Sequence, residues 1–269
     1  MLVGIAILAV FATASVFGQQ AAAKVTPGTL SPAEIDRIVK RFTANEAAFR
    51  SALTGYVFNR FATINTIGLG GQISGTYRRD SYMALTQDGV RLEKVLFAPT
   101  PTVDPGMITP EDLEDLGGVN PFALEPSAID QYNINFVGTE HVDELDLYVF
   151  DVTPKVIPDP KKTKLRLFTG RIWVDKDDLM IVRSRGKAVP ETKTNKFPIV
   201  ETTRSEVDGK YWFPIDARAD DELVFDNGSV LKIRMRIKYN NYRVGRSEVR
   251  ILDDDTPTPT PTPKKTPEP

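Results

Sequence analysis

Residues Leu231–Tyr239 read Leu-Lys-Ile-Arg-Met-Arg-Ile-Lys-Tyr, and this stretch limits the fold more than any other part of the chain. Leu231, Ile233, Met235, Ile237 and Tyr239 fall on one side of an extended backbone, and Lys232, Arg234, Arg236 and Lys238 on the other. Strand side chains alternate between faces with a period of two, whereas a helix stripe recurs every three or four residues. The segment is therefore a strand with one apolar and one wetted face, which is how antiparallel sheets read.

Turn chemistry extends this pattern along the chain. Asp208-Gly209 separates Val200–Val207 from Lys210–Ala217, and Asn227-Gly228 separates Asp221–Phe225 from Ser229–Tyr239. Such pairs supply the positive φ angles that tight hairpins need. Asp175–Asp178 joins Leu165–Val174 to Leu179–Gly186, and Thr139–Glu144 joins Tyr132–Gly138 to Leu145–Thr153. Earlier strands are predicted at Tyr56–Ile67, Gly71–Thr86 and Val90–Phe97. Short connections make neighbours antiparallel, so the expectation is a meander of nine to eleven strands rather than a parallel α/β sheet.

Two helices interrupt the strands. Ser31-Pro32-Ala33-Glu34 is a capping box with proline at the first helical position. Ile35, Ile38, Val39, Phe42, Phe49 and Leu53 then form one apolar stripe, so this helix is expected to cover the sheet. Thr109-Pro110-Glu111-Asp112 predicts a short inserted helix within the Pro- and Gly-rich stretch from Pro99 to Pro126. Connections of that length in compact domains are functional or mobile, which marks residues 100–126 as a candidate lid.

The ends carry their own signals. Met1–Ser15 is apolar and of signal-peptide length, and Val16 and Gly18 supply the small residues that place cleavage before Gln19. No Lys or Arg precedes this run, and no cysteine follows it to carry a lipid anchor, so a soluble mature chain is expected. Residues 19–30 read as a linker. Asp253-Asp254-Asp255 leads into a Thr-Pro repeat, and alternate prolines prevent helix and sheet, so 253–269 reads as an extended, disordered tail.

Gly170-Arg-Ile-Trp-Val-Asp175, the turn after it, and Gly209-Lys-Tyr-Trp-Phe-Pro-Ile215 resemble the hairpin and strand start of outer-membrane lipoprotein-sorting proteins. The order of signal peptide, amphipathic helix and antiparallel meander is similar as well. The resemblance spans Leu30 to Leu252, with its sharp part confined to the two motifs. It implies a periplasmic half-barrel domain over 31–252, in which helices close one side of a curved antiparallel sheet. It further implies a non-enzymatic carrier for a lipid, an acyl chain or a lipoprotein, working as a monomer between membrane-protein donors and acceptors. Buried acyl chains contribute about 0.8 kcal/mol per CH₂, so such a site needs no reactive groups. Phe42, Phe58, Phe97, Tyr148, Phe150, Phe168, Trp173, Phe213 and Met235 are the candidate groove residues on this reading. A sensor or scaffold of the same fold, binding a protein partner with its own helix in the groove, is the alternative.

Other chemistry is poorly supplied. The net charge of -2 argues against a nucleic-acid partner, which requires a basic surplus. With no cysteine there is no disulfide, thiolate metal site or thiol nucleophile. His141, the single histidine, sits in a stretch read as a turn and lacks companions for a metal or a triad. Asp175–Asp178 lacks the glycine and glutamate of a calcium loop, and Gly68-Leu-Gly-Gly71 lacks the lysine of a phosphate loop. No cofactor or metal is expected. Arg60, Lys94, Arg166 and Arg183 interrupt candidate strands, which disfavours a lipid-facing outer-membrane barrel.

Overall fold

The computed structural model describes residues 25–86, 91–104, 124–163, 165–193 and 195–245. The inserted helix at 109–112, the signal peptide, the proline-rich tail and most of the candidate lid lie outside these. Among the described residues the chain runs β1 (Thr26–Pro27), α1 (Pro32–Leu53), β2 (Tyr56–Ile67), β3 (Ile73–Leu85), β4 (Arg91–Phe97), β5 (Tyr132–Val142) and β6 (Leu145–Pro154). It continues with β7 (Leu167–Asp175), β8 (Ile181–Val189), β9 (Val200–Val207), β10 (Tyr211–Val224) and β11 (Val230–Val244). All eleven strands join one antiparallel sheet that is open rather than closed into a barrel.

The strand order is β1-β5-β6-β7-β8-β9-β10-β11-β2-β3-β4, so the expected meander is broken twice, between β1 and β2 and between β4 and β5. The β2–β3–β4 unit comes early in the chain and pairs with the last strand, β11, through a register that sets Met235 opposite Ile64 and Tyr239 opposite Arg60. The chain must then travel from β4 to β5, nine positions along the sheet, or roughly 43 Å on a flat sheet at about 4.8 Å per strand. The long segment after β4 is thus the crossover that this topology requires. Its near end is anchored where the Thr102 amide donates to the Thr76 carbonyl at 2.9 Å and Val103 is buried beside Gly75. Its far end is anchored by Leu124, which is buried against α1 and β6.

α1 makes a similar journey over the eight positions between β1 and β2. At about 1.5 Å per residue its 22 residues cover roughly 33 Å. The capping box forms as expected: the Ser31 hydroxyl accepts from the Glu34 amide at 3.3 Å, and the Glu34 carboxylate accepts from the Ser31 amide at 3.1 Å.

Several local expectations are revised. Residues 211–224 form one strand, not two, because a bulge at Ile215 between Pro214 and Asp216 lets the alternation reset without breaking the ladder. Residues 139–142 continue β5, so His141 lies on a strand and the turn shrinks to Asp143 and Glu144, with Asp143 at φ 53°. The supposed linker supplies β1, whose Pro27 sits opposite Gly138. A side chain at Gly138 would collide with the Thr26 carbonyl, so this edge pairing depends on glycine.

Candidate functional site

Strand alternation gives the sheet two different faces. Phe150, Ile172, Ser184, Thr202, Ala217, Ile237 and Ala62 fall on the same face across successive registers, and α1 lies over it. Two apolar clusters fill the space beneath the helix. Ile38 and Phe42 pack with Phe150, Val152, Ile172 and Phe168, while Phe49 and Leu53 pack with Tyr56, Phe58, Phe213 and Met235.

Polar clamps lie between the clusters. Glu46 takes two hydrogen bonds from Arg204 of β9, at 2.5 and 3.1 Å, with both side chains buried. The Asn45 amide donates to the carbonyls of Asp178 and Leu179 at 3.0 and 2.9 Å, tying α1 to the β7–β8 turn.

Six of the nine candidate groove residues lie on this helix-bearing face, and a seventh, Phe42, packs onto it from α1. Phe42 and Phe150 are fully buried with ring centroids 6.1 Å apart, and Phe136 joins Phe150 at 5.4 Å. Phe168 belongs to the same cluster, its ring lying over the facing Gly170 and Gly186. Tyr148 is half-buried, edge-on to Phe136, with the Lys176 ammonium 5.4 Å from its ring centre. Phe58, Phe213 and Met235 sit in the second cluster, Phe213 only 4.9 Å from Tyr56. The other two lie elsewhere. Trp173 is on the opposite face beneath Arg183, and Phe97 is at the β4 edge, opposite Asp80 and 49% exposed.

The sequence reading missed one group on the helix-bearing face. Arg60 stands among Phe58, Ala62 and Ile64, and its side chain is 2% exposed. Its Nη1 is 3.5 Å from the Glu93 carboxylate, which also faces Arg79 Nε at 3.1 Å and accepts from the Ser81 hydroxyl at 2.5 Å. One carboxylate therefore serves two guanidinium groups and a hydroxyl, and Arg60 Nε has no hydrogen-bond partner. Burial pulls the Arg60 pKa down, opposed by Tyr239 and Glu93, and burial pushes the Tyr239 phenol up, so Tyr239 stays neutral. A buried cation with an unused N–H inside an apolar face can donate a hydrogen bond to a ligand oxygen. Its signal was visible in the sequence as a charge at an inward position of an apolar alternation.

The remaining polar motifs have structural roles. The Asp175 carboxylate accepts from the backbone amides of Asp177 and Asp178, both at 3.2 Å, and shapes the β7–β8 turn. His141 is exposed beside Asp146 at 3.0 Å. Among the described residues no cluster of three or more His, Asp or Glu is arranged for a metal, and no helix is long and apolar enough to cross a membrane.

No family model matches the chain, and no curated protein matches it either. Among solved structures, a DUF1329 family protein from Desulfovibrio piger is similar at a TM-score of 0.41 and 15% identity, over 77% of this chain and 92% of that one. MucB is similar at a TM-score of 0.28 and 12% identity, over 80% of this chain and 95% of that one.

Proposed function

We propose that this chain is an exported periplasmic binding protein that holds an apolar ligand with an oxygen-bearing head, against the helix-bearing face and without catalysing a reaction. One observation carries the reading: the apolar cluster floored by β2, β3, β10 and β11 contains a buried and incompletely partnered cation, Arg60. Burying a charge costs free energy unless it is paired and fully hydrogen-bonded, so such a group has a use that offsets its cost. The floor is roofed by α1 and by the anchored ends of the β4–β5 crossover, neither of which belongs to the sheet. Moving either one exposes apolar surface while every strand pairing stays in place.

In this reading an acyl chain or lipid enters where α1 now lies, its alkyl part against Phe58, Phe150, Phe213 and Met235 and its head oxygen at Arg60. The resemblance to lipoprotein-sorting proteins supports the same ligand class. Protein purified from the envelope fraction, extracted with organic solvent and weighed by mass spectrometry, is expected to release a lipid in near-stoichiometric amount. A disulfide joining α1 to the β7–β8 turn, made with Asn45→Cys and Asp178→Cys in a chain that has no other cysteine, should abolish uptake until it is reduced.

The partner-binding scaffold has one specific point in its favour. The Glu46–Arg204 and Asn45 clamps hold α1 firmly in the groove, as a permanently filled groove would require. A lipid-free extract, with no uptake of fatty acid by either the oxidised or the reduced variant, would select the scaffold.

A further inference from the structure

An antiparallel sheet sends successive connections to opposite rims, and here the two rims differ in chemistry. One rim is tight and acidic. Residues 143–146, 175–178 and 206–210, which span the joins of β5 to β6, β7 to β8 and β9 to β10, hold eight Asp and Glu against Lys176 and Lys210. The other rim is looser and basic. Its β6–β7 loop (155–166) and β8–β9 loop (190–199) hold seven Lys and Arg against Asp159 and Glu191, in a chain whose net charge is -2.

The registers define this second rim. Leu167 lies opposite Val189, Gly186 opposite Val200, Val224 opposite Val230 and Lys232 opposite Ile67, so the β6–β7, β8–β9, β10–β11 and β2–β3 connections emerge along it. Apolar side chains stand in the open among the cations. Val156 and Ile157, next to Lys155, are 77% and 59% exposed, and Leu165 is exposed at the end of the same loop. Leu69 in the β2–β3 turn and the cross-strand pair Val224 and Val230 are exposed farther along. At the acidic rim Val244 is the only exposed large apolar side chain among the described residues. Lys155, Lys161 and Lys193 are exposed and have no ion-pair partner among the described residues, and Lys162 is 3.9 Å from Asp159. The Arg166 guanidinium lies 5.7 Å from the centre of the Phe197 ring, which ties the two basic loops together.

We propose that this rim docks onto an anionic phospholipid bilayer, with Val156 and Ile157 at the acyl boundary and Lys155, Lys161, Lys162 and Lys193 among the headgroups. Solvation accounts for the lysines alone, but not for consecutive Val and Ile in the open beside them. A bilayer meets both needs, since its surface supplies the negative field and its depth takes up the apolar tip. An acidic protein would supply the charge but would also need a matching apolar pocket. The same negative surface repels the acidic rim, so the sheet docks in one orientation. This surface is separate from the ligand face beneath α1.

The experiment measures flotation of the full chain with vesicles of phosphatidylglycerol and phosphatidylcholine in equal parts, against phosphatidylcholine alone. Binding is expected to the anionic vesicles only, and it should weaken as salt screens the charge. Each lysine near such a surface contributes about fivefold to partitioning, so Lys161→Gln with Lys162→Gln should lower it by about tenfold or more. Val156→Ser with Ile157→Ser should do the same through lost apolar burial. Lys210→Gln with Lys238→Gln removes equal charge away from this rim and should leave binding within about twofold, the surface field falling off within a Debye length. Because the chain has no cysteine, an environment-sensitive dye can be placed at Ile157→Cys or at Asp143→Cys. Its emission should shift to the blue at 157 on adding anionic vesicles and stay unchanged at 143. Absence of flotation, equal loss in the two lysine pairs, or equal dye shifts at both rims overturns the docking surface. Ligand retained beneath α1 is read by solvent extraction, so failure here leaves that test unaffected.

Discussion

Removing the charge of Glu46 should be among the most destabilising single changes in the helix. Glu46 and Arg204 have side chains 1% and 5% exposed, joined by two hydrogen bonds across 158 residues of sequence. Glu46→Gln keeps the volume but leaves the Arg204 guanidinium buried without a counter-charge, its remaining support being the Phe49 ring 4.5 Å away. Breaking a buried pair from one side costs about 3–5 kcal/mol, and the ring offsets part of this, so roughly 3 kcal/mol is expected. At about 2–4 °C per kcal/mol for a domain of this size, the thermal midpoint should fall by roughly 6–12 °C. Arg204→Met should cost a similar amount. Glu46→Leu with Arg204→Met, which removes both charges, should return to within about 1 kcal/mol of the parent. Urea titrations of the parent, both singles and the double measure this cycle. An unchanged m value means that α1 and the sheet unfold together, and a smaller one means that the helix leaves first. The reasoning is refuted if Glu46→Gln costs less than about 1 kcal/mol, or if the two single effects add in the double variant.

Arg60→Met should leave stability unchanged or raise it by about 1–2 kcal/mol, because it removes an under-compensated buried charge while Glu93 keeps Arg79 and Ser81. The same variant should lose co-purifying lipid, and urea titration with solvent extraction reads both effects. Gly186→Ala puts a methyl group 2.6 Å from the Phe168 ring and into the Thr169 carbonyl, and should cost about 1–3 kcal/mol by thermal melting. The capping box gives a pH dependence. Hydrogen bonds from Ser31 hold the Glu34 pKa below its ordinary value. A carboxylate with a depressed folded pKa contributes stability above its unfolded pKa and loses it as the pH falls through the folded one. Ser31→Ala should therefore lower the melting temperature near neutrality and flatten its decline below about pH 4.5, the ordinary Glu34 value; an unchanged acid limb would discount the box.

The sheet was legible because its rule is local. Alternation in Leu231–Tyr239 and the Asp-Gly and Asn-Gly turns depend on two to four adjacent residues, and the bounds of β2 and β9 fall where the pattern placed them. Local reading failed where position was fixed from a distance. The pattern ends one strand at Ala217 and begins the next at Asp221, yet Arg218, Ala219 and Asp220 pair with Arg236, Met235 and Arg234 inside one continuous strand. Trp173 and Phe150 were both read as groove residues because both faces of the central strands are apolar. Only the registers put Phe150 with α1 and set Trp173, opposite Val149 and Arg183, on the other side. Arg60 carried a visible signal, but one charge in an alternating strand does not reveal whether it is paired. Burial and the missing Nε partner are properties of three dimensions.

The broken meander bears directly on function. The β11–β2 pairing separates β1 from β2 and β4 from β5 along the sheet; α1 lies in the first connection, and the described ends of the second, Val103 and Leu124, join the apolar clusters. α1 is held at mid-length by Glu46 and Asn45, and the crossover is held at its ends by Thr102, Val103 and Leu124. Among the described residues, their backbone hydrogen bonds toward the sheet are the Thr102–Thr76 contact and the Gln131 carbonyl accepting from Lys155 at the end of β6. The free energy of opening the face is therefore set by side-chain packing and two polar clamps, while the strand ladders set global stability. Weakening a clamp should then raise ligand exchange far more than it lowers the resistance of the strands to unfolding. Hydrogen exchange separates the two. In Asn45→Ala, amides of α1 should exchange faster while those of β10, β11 and β2 keep their protection, and a uniform increase across helix and sheet would show that roof and floor open only as one.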